Sequence, residues 1–140
     1  MAFAAQLFFN YLIGAPDAHA KNYSVLLGLS DGPTLAPLYD VASGLPYGDD
    51  REKRKMAMSI GGENRIGRLR RSNLQRFAEA ASLQEKMMVD LMANLADAVI
   101  ANLPILAEEA ASIPSATELT DRLFPKIRSL CENTLATMEV

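Results

Sequence analysis

Asp17 and Asn22 stand in a D-x-x-x-x-N spacing within "GAPDAHAKNYSVLLGL" at residues 14–29, with the chain's single histidine, His19, and Lys21 between them. A second carboxylate, Asp40, closes the stretch "TLAPLYD". Metal-assisted phosphoryl transfer needs three kinds of group. One carboxylate orients and deprotonates the acceptor hydroxyl, a neutral oxygen donor such as Asn holds Mg²⁺, and another carboxylate joins metal to phosphates. The chain offers each. A plainer reading also stands, because Gly14, Ala15, Pro16 and Asp17 are residue types that stop a helix and open a bend. His19 is not a metal-site candidate, since no second histidine exists and the oxygens nearby are hard donors suited to Mg²⁺.

These groups can only act if the surrounding chain brings them together. Over residues 3–13 Phe3, Leu7, Phe8, Tyr11 and Leu12 recur at helical spacing, and Gly14 with Pro16 ends the pattern, so a helix delivers the chain into the loop. Residues 23–29 are rich in strand formers, "SDGP" at 30–33 signals a turn, and "TLAPLYD" resumes an extended pattern. That hairpin predicts that Asp40 returns to the mouth of the loop, where the side chains of Asp17, Asn22 and Asp40 meet in one solvent-reachable cleft. In "KMAMSI" Met56, Met58 and Ile60 alternate as a third strand before a bend at 61–62, and everything later reads as helical. Capping-box pairs Ser72/Gln75, Ser82/Glu85 and Ser115/Glu118 mark three helix starts. Met88, Met92, Leu95, Val99 and Leu103 form the core face of the longest helix, which Pro104 stops or kinks. In the last helix Pro125 imposes a kink or a fresh start.

At 140 residues with 49% hydrophobic and 22% charged composition, the chain reads as one globular domain without internal repeats. Cys131 is alone, which excludes an internal disulfide and fits a buried thiol in a reducing cytoplasm. No continuous apolar run approaches the ~20 residues needed to span a bilayer, and no signal-peptide order opens the chain, so the expectation is a cytoplasmic protein with no membrane partner. The net charge of -3 conceals a segregation: residues 51–76 carry nine Lys or Arg against two acids. Such a run reads first as a solvated face or a docking loop for an acidic partner. Without interleaved aromatics it makes a poor base-stacking platform, so direct nucleic-acid binding is not expected. Residues 44–54, rich in Gly, Pro and charge, are expected to be the least ordered.

The D-x-x-x-x-N spacing, after a helix and before a hairpin ending in Asp, resembles a protein-kinase catalytic loop. "LIGAPDAHAKNYSVLL", "LAPLYDVASGLPY" and "KMAMSIGG" together resemble the carboxy-terminal lobe of the HipA-type serine/threonine kinases, the toxin members of bacterial toxin-antitoxin pairs. The three blocks cover residues 12–62 in family order, and the loop is also similar to those of lipid kinases and small-molecule phosphotransferases. The resemblance implies an α+β, mainly α-helical fold, a protein-kinase-like C-terminal lobe with a short β-hairpin after the catalytic loop. Residues 1–62 would carry the catalytic loop, hairpin and metal-binding segment, and residues 63–140 the helical part. It implies Asp17 as catalytic base, and Asn22 and Asp40 as cofactor-binding residues and Mg²⁺ ligands. ATP would be the phosphate donor and a protein serine the acceptor, an aminoacyl-tRNA synthetase being the target class, with a DNA-binding antitoxin as partner. His19 either joins the hydrogen bonds of the loop or approaches the transferring phosphate, and Lys21 offers a positive charge there. Tyr39 is expected to pack under the loop.

Departures from a complete kinase matter as well. No G-x-G-x-x-G or V-A-I-K pattern occurs, so the nucleotide-binding lobe is expected to be absent and the isolated chain inactive. Two other classes stay open: a noncatalytic interaction domain derived from a kinase-like phosphotransferase, and a nucleic-acid-binding module on the Arg-rich middle, whose affinity would fall steeply with salt.

Overall fold

In the computed structural model, which describes residues 1–28, 32–47 and 54–139, the chain opens with α1 (Ala2–Leu12). Ala4, Leu7, Phe8, Tyr11 and Leu12 follow the spacing that lines one face of a helix, and all five are buried. Gly14 then turns the chain in the left-handed region at φ +66°. A Cβ at this position would lie 2.5 Å from Leu45 Cγ, so glycine is required both for the turn and for the packing beneath it.

After the loop, β1 (Val25–Leu27) pairs antiparallel with β2 (Pro33–Leu35), Val25 opposite Leu35. The predicted turn at 30–33 falls partly on residues 29–31, outside the described residues. A second hairpin joins β3 (Lys55–Ile60) to β4 (Glu63–Arg65), and three helices follow: α2 (Arg71–Ala80), α3 (Glu85–Ala111) and α4 (Thr117–Met138). α3 packs on α1, α2 and α4. Leu7, Phe8, Ile60, Leu74, Met88, Met92 and Cys131 meet in one apolar core, each at most 1% exposed. The α+β, mainly helical expectation holds, and the methionine stripe is core. Burial pushes the Cys131 thiol up to about 12, which leaves it no nucleophilic character near neutrality.

Several local expectations are corrected. Residues 63–65 form a strand rather than the start of a helical region, because Gly61 and Gly62 at φ +53° and +85° reverse the chain onto β3. None of the three serine capping boxes forms at its expected position. α2 begins at Arg71, so Ser72 lies inside it, and the side chain of Asn73 accepts the Arg70 N–H at 2.8 Å. That start is set by docking on the β3–β4 turn: Asn73 Nδ2 and Arg76 Nε donate to Gly61 O at 3.3 and 2.8 Å. α3 and α4 begin after Gln84 and Ala116 without side-chain caps. Pro104 and Pro125 lie inside α3 and α4 and end neither, because the long α3–α4 contact outweighs one lost backbone bond at each.

α3 is also long and apolar enough, by length and composition alone, to cross a membrane, although it holds no continuous apolar run of that length. Single acids, Asp90 and Asp97, interrupt its apolar runs and hid its total character. Of the basic middle, described arginines act partly as fasteners rather than as a free solvated face. Arg71 Nε pairs with Glu85 at 2.7 Å, Arg65 with Glu63 at 2.7 Å, and the Arg54 guanidinium donates to Gly44 O and Tyr47 O. Most of the segment expected to be least ordered, residues 48–53, lies outside the described residues.

Candidate active site

The loop at residues 13–24 hangs from α1 and is fastened backbone to backbone. Ala15 N–H donates to Asn10 O at 2.9 Å, Gly44 N–H to Gly14 O at 2.9 Å, and Ala57 N–H from β3 to Pro16 O at 3.0 Å. These bonds place Asp17 at a corner. From there His19 N–H donates to Asp17 O at 2.8 Å and Asn22 N–H to His19 O at 2.9 Å, closing a 3-10 turn over Ala20–Asn22. Short-range bonds of this kind suit a turn-rich stretch that buries only small apolar side chains such as Ala15 and Ala18.

Asn22 is the buried member of the site, 7% exposed. Its Nδ2 donates to the backbone oxygen of Asp17 at 3.2 Å and to Asp40 Oδ2 at 3.3 Å. The hairpin therefore does return Asp40 to the loop. Asp40 is exposed and sits in the left-handed region at φ +55°, a conformation that L-residues other than Asn, Asp and Gly rarely adopt. The Asp17 carboxylate is engaged differently. His19 Nε2 lies 2.7 Å from Asp17 Oδ1, with the two side chains 49% and 77% exposed, so His19 joins the loop's own bonding. The structure thus brings together the side chains of Asn22 and Asp40 and the backbone of Asp17, while the Asp17 carboxylate faces His19 and solvent. Lys21 is exposed, and its ammonium makes no ion pair among the described residues.

Hard oxygen donors fit Mg²⁺, which needs only one or two protein ligands beside water and phosphate. With both Nδ2 bonds directed at Asp17 O and Asp40, Asn22 Oδ1 is the atom left for a cation, and Asp40 offers its carboxylate beside it. Among the described residues no group of three or more His, Cys, Asp or Glu gathers as a closed metal cage.

Supporting residues escaped the sequence reading. Asn10, on the buried face of α1, donates to Tyr23 Oη at 2.9 Å, and Phe3 packs edge-on against the Tyr23 ring. Burial raises the Tyr23 hydroxyl above its ordinary pKa. Gln6 Nε2 holds Ala36 O at 2.7 Å, tying α1 to the returning strand. The only available signal was polar residues interleaved in an apolar helix. Tyr39 does not pack under the loop: it is 43% exposed, and its hydroxyl reaches Lys21 O at 2.9 Å and Ser24 Oγ at 2.7 Å.

A family model described as HipA-like C-terminal domain matches residues 1–103. The chain belongs to the HipA-like C-terminal domain family. Two Sinorhizobium fredii proteins, named "Putative kinase Y4mE" and "Putative kinase Y4dM", are 37% and 27% identical over 64% and 86% of this chain. The HipA chain solved in the Shewanella oneidensis toxin-antitoxin complex of HipA, HipB and operator DNA superposes with a TM-score of 0.79 over 97% of this chain, at 23% identity. That likeness establishes the fold. The chain spans 20% and 28% of the two relatives' lengths and 32% of the HipA chain.

Proposed function

We propose that this HipA-like domain is the catalytic C-terminal lobe of an ATP- and Mg²⁺-dependent serine/threonine protein kinase. The observation that carries the reading is the 3.3 Å approach of Asn22 and Asp40 across eighteen residues of sequence, beside the corner that presents Asp17. Mg²⁺, when bound, would neutralise charge on the phosphates and orient the terminal one. Asn22 and Asp40 would hold it from the protein side. Asp17 accepts the proton of the acceptor hydroxyl as its oxygen bonds the γ-phosphorus, the bond to the bridging oxygen breaks, and ADP leaves. His19 keeps the Asp17 carboxylate aimed, and Lys21 supplies positive charge at the rim.

Because the chain covers a third or less of its relatives, we place the nucleotide-binding part in a preceding segment of the longer protein. The exposed Val25, Leu26 and Leu27 offer that part an apolar surface to cover. We further propose a cytoplasmic toxin role with a DNA-binding antitoxin, supported by the likeness to a HipA solved with HipB. The alternative, a noncatalytic interaction domain, makes no use of the aligned Asn22 and Asp40. In the full-length protein, Asp17→Asn is expected to slow phosphate transfer from ATP by about 10²–10⁴-fold while leaving the melting temperature nearly unchanged. Transfer at the wild-type rate would remove Asp17 from the reaction.

A further inference from the structure

We infer that Tyr39 is a positioning residue, a hydroxyl latch that holds the strand bearing Asp40 against the loop bearing Asn22. The inference rests on the reading of Asn22 and Asp40 as the cation pair. Tyr39 has one hydroxyl proton, and it goes to Lys21 O at 2.9 Å. The Ser24 hydroxyl, 2.7 Å away, is therefore the donor to Tyr39 Oη, giving a chain from Ser24 through Tyr39 to the Lys21 carbonyl. Lys21 immediately precedes Asn22 and Ser24 follows it by two, so the two bonds bracket Asn22 from the residue next to Asp40.

Such a latch has work to do at this position. Left-handed backbone costs an aspartate less than most residues but still favours relaxation where nothing opposes it, and Asp40 is exposed at φ +55°. Its bond from Asn22, at 3.3 Å, is at the weak end of the N–H···O range. The segment is pinned upstream at Ala36, whose O accepts from Gln6 and whose N–H donates to Ser24 O at 2.8 Å, and downstream at buried Leu45. Between those points, the Tyr39 hydroxyl bonds directly across to the loop. Its ring is too exposed to act chiefly by packing. Without the hydroxyl, Asp40 can relax away from Asn22, and its carboxylate is no longer held beside the Asn22 amide.

The test compares Tyr39→Phe, Ser24→Ala and Asp40→Asn in the full-length protein, reading phosphate transfer against Mg²⁺ concentration, the KM for ATP at saturating Mg²⁺, and the melting temperature. Tyr39→Phe keeps the ring and is expected to raise the half-saturating Mg²⁺ about tenfold. Ser24→Ala, which leaves the bond to Lys21 in place, should raise it about threefold, with melting unchanged in both. An unchanged Mg²⁺ requirement in Tyr39→Phe, beside an Asp40→Asn protein that has lost transfer, overturns the latch and leaves the cation pair standing. Loss of kcat and melting temperature in Tyr39→Phe that added Mg²⁺ does not correct also overturns it, since Tyr39 would then be structural. Normal transfer by Asp40→Asn overturns the underlying reading and the latch with it.

Discussion

In the helical base Phe8, Met88, Met92 and Cys131 are fully buried, whereas on the shelf that carries the site Val25, Leu26 and Leu27 are 56%, 54% and 84% exposed. The base is held by close packing of α1, α3 and α4 around one apolar core. The shelf is held by individual hydrogen bonds: Gln6 to Ala36, Asn10 to Tyr23, Tyr39 to Lys21, and β3 to Pro16. Packing rewards bulk and is indifferent to direction, while a hydrogen bond sets the position of one atom. The contrast teaches that stability and site geometry have separate sources here, and that substitutions should divide along the same line.

Met92→Ala tests the base. Truncating a fully buried methionine leaves a cavity among helices that cannot close it completely, so a stability loss of about 2–5 kcal/mol is expected by denaturant titration. A loss below about 1 kcal/mol would show that the base is loosely packed and would blur the comparison. On the shelf, Asp40→Gly is expected to move the other way. Glycine removes the left-handed strain, so the protein should gain about 0.5–1 kcal/mol while losing phosphate transfer. A destabilised Asp40→Gly protein would mean that the carboxylate, rather than its neighbours, holds that backbone.

The smallest effect belongs to the Glu63–Arg65 pair of β4. The hydrogen bond from the Arg65 side chain holds the Glu63 carboxyl down at about 2, against an ordinary 4.5. A depressed carboxyl stabilises the fold above its unfolded value and loses that contribution as pH falls from about 4.5 toward 2. Arg65 is exposed and solvent screens the pair, so the loss should be small. It should vanish from the acid-unfolding curve of Glu63→Gln. An identical acid dependence in that variant would assign the effect to another carboxylate.

Much of the base was legible in the amino-acid order. The spacing of Leu7, Phe8, Tyr11 and Leu12 announced α1, the alternation of Met56, Met58 and Ile60 announced β3, and Met88 with Met92 announced the core of α3. Gly14 marked the end of α1, but the starts of α2, α3 and α4 were not legible, because contacts such as Asn73 docking on Gly61 fix them and no local serine pattern carries that information. That α3 and α4 run on through Pro104 and Pro125 was not legible either: the contact between the two helices is a property of the fold, invisible at either proline. In the site, the types and spacing of Asp17, Asn22 and Asp40 pointed to one place, and the 3.3 Å approach of Asn22 to Asp40 lies there. The bonds of Tyr39, Ser24 and Asn10 depend on the hairpin's register and could not be read from composition.

The central claim is that Asn22 and Asp40 share one divalent cation. Manganese, a paramagnetic substitute for Mg²⁺, tests it when titrated with ATP into the full-length protein while backbone amide relaxation is followed. The account predicts line broadening centred on Asn22 and Asp40 and falling off through the loop, and its disappearance in Asp40→Asn. Broadening centred elsewhere, or equally strong at Asn22 in Asp40→Asn, would contradict it.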